Sequence, residues 1–321
     1  MDLRFVTLAE IDLDDGTFEI RRFTGSTRLR ESLGRFGILD PAWLRERSGK
    51  YTLVDGFQRL GWAKENGVRG AVCRIFPEDC DVRELWTRRI EKKIFEREIN
   101  LAEKAQIMSV LLGLFQPEEI PGFFFSGLNV AKRPEVLRKW ASLSDAGSEI
   151  LAIFASGVIA ERAALEVAGR DARSRDCVLR VLEALRCSAS IQVEIVERIN
   201  EIAIREEKAG ADIIEDSRVR EILGSKELNH RQKTQALRDF LGELRHPRLS
   251  ARQKRFQQEI EALGLPPEAR IIPPVYFEGN NWRMELSFTG PDELRKIFES
   301  AGSSVKSDRL NILFKAQEQQ R

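Results

Sequence analysis

The first hundred residues alternate between short apolar runs typical of strands and apolar positions at helical spacing. Strands are predicted over residues 4–8, 18–22, 42–45, 51–54 and 71–76. One helix is predicted over residues 27–36, ended by Gly37, because glycine favours the left-handed conformation just past a helix. A second helix follows Gly56 and ends near Asn66 and Gly67. Residues 1–98 are therefore predicted to form a small α/β domain.

The next segment, residues 99–215, has a helical period throughout. Asn100, with Glu103 three residues later, matches a capping box, which indicates that a helix begins there. Two apolar stripes at helical spacing follow. They are Val178, Val181, Leu182 and Leu185, and then Ile191, Ile195, Ile199 and Ile202. This segment is predicted to be an all-α domain.

The C-terminal segment, residues 250–321, is predicted to be a small α+β domain of order αββαβ. Strict alternation predicts a half-buried strand, whose apolar positions are Trp282, Met284, Leu286 and Phe288. An earlier strand over residues 271–278 and the intervening Gly-Asn-Asn predict a hairpin. We expect the face that carries Trp282, Met284 and Phe288 to be buried. A helix over residues 291–301 and a strand over residues 310–314 complete this domain, and the whole chain is predicted to be α+β and mostly helical.

The chain is nearly neutral as a whole but carries a local excess of basic residues. The 321 residues carry a formal net charge of only +1. Residues 217–255, however, contain eleven Lys or Arg against four acidic residues, which leaves about +7 on that segment. Such a cluster can contact phosphates, or it can be an ordinary solvated helix face. We assign residues 216–249 as a basic helical linker.

Several classes of protein are disfavoured by composition. None of the four cysteines forms a C-x-x-C pair, and only His230 and His246 are available for histidine chemistry. A zinc site, a disulfide framework and a histidine-based triad are therefore not expected. No apolar run reaches the ~18 residues that span a bilayer, and the first residues lack a secretory pattern. We expect a cytoplasmic protein without a membrane partner.

One strand-to-helix turn has the features of a phosphate pocket. The predicted strand over residues 51–54 leads into Asp55 and Gly56 and then directly into a helix. Glycine allows the backbone to approach a ligand closely, and the first N–H groups of a helix favour an anion. Gln58 and Arg59 lie in the first turn, within reach of phosphate oxygens. The alternative interpretation is an ordinary turn that contains a glycine.

Longer runs of sequence resemble the ParB/sulfiredoxin domain. These are residues 29–41, the run Asp55-Gly56-Phe57-Gln58-Arg59, and the run from Arg97 to Ala105. The resemblance covers roughly residues 3–210. It implies an N-terminal nucleotide pocket, a helical DNA-binding middle and a homodimer that CTP, with Mg²⁺, closes into a clamp on DNA. The nucleotide-binding residues that follow from the motif and its resemblance are Asp55, Gly56, Gln58, Arg59 and Arg97.

The sequence departs from the ParB pattern at two places. The family's Gly-Glu-Arg-Arg run is Gly56-Phe57-Gln58-Arg59 here, so one phosphate-binding arginine is missing. The family's Glu-Asn-x-x-Arg corresponds to residues 93–97, of which only Arg97 matches. These losses weigh against CTP hydrolysis more than against CTP binding, and whether the chain is an enzyme stays open.

A candidate DNA-contacting helix is predicted over residues 134–143. Pro134 is a good first helical residue, and the inner stripe comprises Val136, Leu137, Trp140 and Leu143. As the second helix of a helix-turn-helix it would lie in the major groove. The candidate DNA-binding residues are Lys132, Arg133, Arg138 and Lys139. A purely structural helix is the alternative.

The leading hypothesis is a nucleoid-associated, ParB-like DNA-binding protein that acts in DNA partitioning or regulation. Its C-terminal domain would dimerise or bind a partner. One rival is a kinase or nuclease on the same N-terminal fold, with Asp55 or Glu65 as its carboxylate. Sulfiredoxin chemistry is not expected, because Phe57 occupies the position of the reactive cysteine and Cys73 and Cys80 lie too far along. The other rival is a pseudo-ParB adaptor that works through protein contacts.

Overall fold

The computed structural model describes residues 2–23, 27–278 and 281–305. The described chain is mixed α/β and mostly helical, with one five-stranded sheet and one two-stranded sheet. It divides into two compact units, Met1–Gln235 and Ala236–Arg321. The finer division at residues 98, 215 and 249 remains a prediction. No helix in the described ranges is both long and apolar enough to cross a membrane.

The five-stranded sheet lies at the start of the first unit. Its strands are β1 (Asp2–Thr7), β2 (Ile11–Asp12), β3 (Ala42–Arg47), β4 (Lys50–Asp55) and β5 (Gly70–Phe76), in the spatial order β1-β5-β3-β4-β2. Strands β3 and β4 form an antiparallel hairpin, and β3 runs parallel to β5. Ser48 and Gly49, between the two strands, both have positive φ, as is common in short hairpin turns. The central strands supply the buried core residues Leu44, Leu53, Cys73 and Ile75.

The strand predicted over residues 18–22 is wrong, since the backbone there belongs to no strand. The alternation that suggested it reflects burial alone, because Phe18 and Ile20 are both buried. The ring of Phe18 packs against Trp86, with 5.3 Å between the ring centroids. A loop that anchors alternate side chains in a core therefore mimics the pattern of a strand.

Three helices complete the part of the first unit around the sheet: α1 (Thr27–Phe36), α2 (Phe57–Glu65) and α3 (Val82–Glu96). Helix α1 has the predicted bounds, and Gly37 follows it with a φ of +67°. Leu60 and Ala63 of α2 are fully buried. Helix α2 therefore packs one face against the core, and its first turn lies next to the last residue of β4.

Nine further helices follow in the described part of the first unit. A tenth helix begins in this unit and continues into the second. The nine are α4 (Leu101–Leu114), α5 (Gly122–Gly127), α6 (Pro134–Leu143), α7 (Ser148–Ala155), α8 (Glu161–Val167), α9 (Ala172–Leu185), α10 (Ala189–Glu206), α11 (Gly210–Ile214) and α12 (Ser217–Gly224). The predicted capping box at the start of α4 is present: Asn100 accepts a bond from the Glu103 amide at 3.0 Å, and Glu103 accepts one from the Asn100 amide at 3.4 Å. The predicted stripe of α9 is buried, as are Ile195, Ile199 and Ile202 on α10.

The unit boundary falls within α13 (His230–Arg245), and the second unit continues with α14 (Pro247–Leu263), β6 (Ala269–Ile272), β7 (Arg283–Leu286) and α15 (Pro291–Val305). Strands β6 and β7 pair antiparallel. The predicted strand over residues 271–278 is shorter than expected, because Pro273 and Pro274 have no N–H to donate and Val275–Phe277 form a 3₁₀ turn. Residues 279 and 280 of the predicted Gly-Asn-Asn turn lie outside the described residues.

The face expected to be buried in the second unit is largely open to solvent. Met284 is 41% exposed and Phe288 is 51% exposed, whereas Trp282 is half-buried against Phe256 and Phe277. The expected burial is therefore wrong for Met284 and Phe288, because strict alternation records which face is apolar and not what covers it. The strand predicted over residues 310–314 lies outside the described residues.

Two isoleucines near the C-terminal end of α10 offer a matched test of core packing. Ile202 is fully buried and Ile204, two residues later, is 70% exposed. We expect Ile202→Ala to lower the free energy of unfolding by ~2–5 kcal/mol through lost burial and a cavity. Ile204→Ala should change it by less than about 0.5 kcal/mol. Urea denaturation followed by circular dichroism measures both, and equal losses would contradict this placement of α10.

Candidate functional site

The turn between β4 and α2 can be built only with glycine at position 56. Gly56 has a φ of +103°, and a Cβ atom there would lie 2.9 Å from the Cβ of Ala42 on the neighbouring strand. No side chain caps the first turn of α2. The predicted strand-to-helix turn is therefore present, and its first backbone N–H groups are left for another acceptor.

Three cations converge on the carboxylate of Asp55, the last residue of β4. Arg59 of α2 donates to it at 3.1 Å, and Arg89 and Lys92 of α3 donate at 2.9 Å each. Lys92 also donates to Asp40 at 2.9 Å, and Arg59 bonds to the same Asp40 oxygen. We call these five residues the Asp55 cluster. Helix α3 can supply two of them because residues three apart share one helix face.

The inner side of the cluster is rigidly held. The side chain of Arg89 is only 5% exposed, and it also bonds to the carbonyl oxygen of Val54. Its guanidinium stacks over the ring of Phe57, 5.1 Å from the centroid. The ring of Phe57 therefore helps to orient the guanidinium of Arg89 towards Asp55.

The electrostatics of the cluster keep Asp55 ionised. Burial acts to raise the pKa of this carboxyl, but the attraction of Arg89 and Lys92 outweighs burial and holds the pKa below its usual value. A carboxylate that is held in three ion pairs is a poor general base. Glu65 lies elsewhere, exposed and paired with Arg30 at 2.8 Å. Neither carboxylate has surroundings that favour the kinase or nuclease alternative.

Cysteine chemistry is equally disfavoured near the pocket. Cys73 pairs with Ala42 across β5 and β3, so it is the cysteine of the central sheet. Burial raises the pKa of its thiol to about 11. At neutral pH the sulfur is therefore protonated, and a thiol in this state is a weak nucleophile.

Three predicted nucleotide-binding residues come together here, and two do not take part in the cluster. Asp55, Gly56 and Arg59 meet at the β4–α2 turn. Gln58 is exposed on the first turn of α2. Arg97 follows the end of α3 and bonds instead to Glu103, at 2.8 Å to one of its oxygens.

Glu103 is fully buried and also accepts an ion pair from Lys93 at 3.1 Å. Burial acts to raise the pKa of Glu103, but the bond from Arg97 and the charge of Lys93 lower it overall. Arg97 therefore ties α3 to α4, and it also lines a cavity of about 680 Å³ with Asn100, Lys104, Asn129 and Glu161. A cavity of this size can hold a small ligand.

Asp40, Arg89 and Lys92 were not among the predicted site residues. No helix was predicted over residues 82–96, where α3 places Arg89 and Lys92 on one face. Asp40 stands in a loop, with no local signal. Only the packing of α3 against β4 and the loop before β3 brings these residues to Asp55.

The cluster retains unsatisfied donors. In the described part of the chain, the Nε atoms of Arg59 and Arg89 are buried without a hydrogen-bond partner. Buried donors normally have an acceptor. The uncapped first turn of α2 and the three cations are groups that can bind the oxygens of a phosphate group.

The candidate DNA-contacting helix has the predicted inner face. Leu137, Trp140 and Leu143 of α6 are buried, and α6 packs against α4. The ammonium of Lys104 on α4 lies 5.0 Å from the centre of the Trp140 ring and bonds to Glu161 at 2.7 Å. These contacts fix the rotation of α6 about its own axis.

The predicted basic residues lie at the start and outer side of α6. Lys132, Arg133 and Arg138 are exposed, and Lys139 is half-buried. The preceding helix α5 has only six residues, but it is anchored by the buried rings of Phe124 and Phe125. A connection of six residues, 128–133, then leads into α6. Pro121 and Gly122 therefore start a short helix, not an irregular loop.

Some charges of the basic segment have structural roles within the first unit. The guanidinium of Arg220 donates to the carbonyl of Glu215 at 2.7 Å, just after α11. The ammonium of Lys233 donates to the carbonyl of Leu223 at 2.6 Å, in the last turn of α12. Both cations donate hydrogen bonds to carbonyl oxygens at a helix end. The number of cations that are available to a ligand is therefore smaller than the net charge of the segment suggests.

The Asp55 ion pairs predict a specific loss of stability in acid. Asp55→Asn should lower the free energy of unfolding at pH 7 by about 1–3 kcal/mol, which is below the cost for a fully buried pair because the carboxylate is partly exposed. Since the pKa of Asp55 is depressed in the folded state, its contribution is present above the unfolded pKa of about 4 and is lost as the pH falls further.

Urea denaturation at several pH values between 7 and 3 measures this effect. The difference between the wild-type chain and Asp55→Asn should narrow below about pH 4. Asp14→Asn is the control, since the Asp14 side chain is 95% exposed. A difference that stays constant from pH 7 to 3 would show that Asp55 is not held ionised by its partners.

Two solved structures of the chromosome-partitioning protein ParB from Caulobacter crescentus, both C-terminally truncated, resemble this chain. The one complexed to the centromeric parS site has a TM-score of 0.35 and 16% identity, and the match covers 61% of this chain and 99% of that one. The one complexed with CTP-γ-S has a TM-score of 0.25 and 17% identity, covering 57% and 99%. No family model and no curated protein matches the chain. These scores give a weak link to the ParB fold, too low to transfer a site or a function.

Proposed function

We propose that this chain is a ParB-like DNA-binding protein, acting in DNA partitioning or regulation, in which α6 contacts the DNA. The observation that carries this proposal is the exposed cationic start of α6, a helix whose opposite face is buried. Lys132, Arg133 and Arg138 point to solvent while Leu137 and Trp140 hold the opposite face in the core. A helix fixed in this way can enter a major groove with its N-terminal residues towards the bases.

The local charges support contact with phosphates. Arg133 has an acidic neighbour, Glu135, at 3.7 Å, but both side chains are about two-thirds exposed. An exposed ion pair of this kind contributes little, so a DNA phosphate can replace Glu135 as the partner of Arg133. The N-terminal end of α6 also favours an anion through the helix dipole.

The N-terminal pocket is proposed to bind a nucleotide, and CTP with Mg²⁺ is the one that the sequence resemblance implies. Arg59, Arg89 and Lys92 would hold the phosphates together with the first turn of α2. The convergence of these three cations and the uncapped first turn of α2 support this assignment. Nucleotide binding would act as a conformational switch for DNA binding, and Arg97 and Gln58 remain candidates for it.

The second unit is proposed to mediate homodimerisation or partner binding. Its exposed apolar side chains, Val275, Tyr276, Met284, Phe288 and Phe298, support an interaction role. The adaptor alternative keeps this interaction role and has neither DNA binding nor nucleotide binding. Binding to DNA separates the adaptor from the leading proposal.

We expect the purified chain to bind duplex DNA with an affinity that falls steeply with salt, because lysine and arginine contacts to phosphates release counterions. Arg138→Ala should weaken binding and reduce the slope of log K against log salt by about 1. Fluorescence anisotropy with labelled duplex DNA, over a salt series with and without CTP, measures both effects.

Arg30→Ala is the matched control, since Arg30 is an exposed arginine on α1 with a single ion pair. It should leave the slope unchanged. Equal effects of the two substitutions would remove α6 from the DNA contact. If the wild-type chain fails to bind DNA at low salt, the DNA-binding proposal is wrong and the adaptor alternative takes its place.

A further inference from the structure

We infer that Asp40 is a displaceable latch that closes the N-terminal pocket in the absence of a polyphosphate ligand. The carboxylate occupies the hydrogen-bonding positions of Arg59 and Lys92 that a phosphate group would take. This inference rests on the proposed nucleotide pocket and concerns how that pocket is regulated.

The two carboxylates of the Asp55 cluster differ in how firmly they are held. The Asp55 side chain is 24% exposed and is bonded to three cations, one of which is the buried Arg89. The Asp40 side chain is 50% exposed and is bonded to Arg59 and Lys92 only. Asp55 is therefore the fixed inner partner. Asp40 is the outer partner. Because its carboxylate is already half exposed, water can solvate it when it separates from Arg59 and Lys92.

Asp40 also stands on a segment that can carry it away. It lies in the connection between α1 and β3, which begins after Gly37 with its positive φ. Its neighbour Leu39 is 72% exposed, so it anchors the connection weakly. Ile38 of the same connection packs against the core of the sheet, so the part that can move is confined to Leu39 and Asp40, while α1 and β3 remain in place.

A phosphate and Asp40 cannot share the same donors. Carboxylate and phosphate oxygens accept the same charge-assisted bonds from arginine and lysine, and two anions at one site repel each other. Lys92 has a third carboxylate nearby, Glu96 at 3.4 Å. The three negative charges of Asp40, Asp55 and Glu96 balance the three cations of the cluster. An incoming anion is therefore attracted strongly only when it displaces one of these carboxylates.

The consequence is a coupling between ligand binding and the α1–β3 loop. In the closed state, Asp40 joins this loop to α2 through Arg59 and to α3 through Lys92. When a polyphosphate takes over these two cations, the loop is released from both helices. The same exchange lowers the apparent affinity for the ligand, because part of the binding free energy is spent on opening the latch.

Removing the charge of Asp40 tests the latch directly. Isothermal titration calorimetry on the full chain would use sodium tripolyphosphate and, separately, CTP with and without Mg²⁺. We expect Asp40→Asn to bind tripolyphosphate at least tenfold more tightly than the wild-type chain, while Asp40→Glu stays close to wild type. Adding Arg59→Ala to Asp40→Asn should remove most of the gain, because Arg59 is one of the two donors that the substitution releases.

Asp14→Asn is the control for net charge, because it removes one exposed carboxylate of the same domain. A similar gain for Asp14→Asn would reduce the effect to net charge and overturn the latch. If the wild-type chain binds and Asp40→Asn gains nothing, the latch is wrong and the nucleotide pocket stands. If neither the wild type, Asp40→Asn nor Asp40→Ala binds any of the probes while their thermal unfolding shows them folded, the pocket and the latch are both wrong.

Discussion

The interaction on which the N-terminal part of the structure depends is the capture of the Asp55 carboxylate by three cations from two helices. Asp55 ends the strand β4, Arg59 comes from α2, and Arg89 and Lys92 come from α3. Burying such charges costs a great deal of desolvation, so the net stabilisation is small. What the ion pairs provide is specificity, since an unpaired charge at this place would cost several kcal/mol (~3–5).

A second carboxylate, that of Glu103, is held by cations in the same way at the C-terminal end of α3. Glu103 at the start of α4 is bonded to Lys93 and Arg97 at the end of α3. The next residue, Lys104, contacts Trp140 of α6 and Glu161 of α8. Helix α3 is thus held at the pocket by Asp55 and at the helical bundle by Glu103. A rearrangement at either carboxylate has a physical route, through packed side chains, towards α6.

Local patterns in the sequence predicted most elements of the first unit. The helical periods, the capping box of Asn100 and Glu103, the glycine after α1 and the Ser48-Gly49 turn all act over a few residues, so their outcome is encoded locally. The same reasoning failed for residues 18–22, where Phe18 and Ile20 are buried without a strand. It also failed for residues 273–277, where two prolines interrupt the ladder. Burial and strand formation usually coincide, but only the neighbouring elements decide whether they do.

For the candidate site, local sequence is enough to specify the turn at Gly56, the position of Arg59 in the first turn of α2 and the basic outer side of α6. These features depend on contacts between residues that are close in the chain. Tertiary packing is what brings Arg89 and Lys92 to Asp55, joins Asp40 to Arg59 and Lys92, and pairs Arg97 with Glu103. The bonded pairs in the cluster that involve Arg89, Lys92 and Asp40 are 19 to 52 positions apart in the sequence, whereas Arg97 and Glu103 are only 6 apart. Which charges pair over such separations is set by how α3 packs on the sheet, and the alternation of polar and apolar residues does not record it.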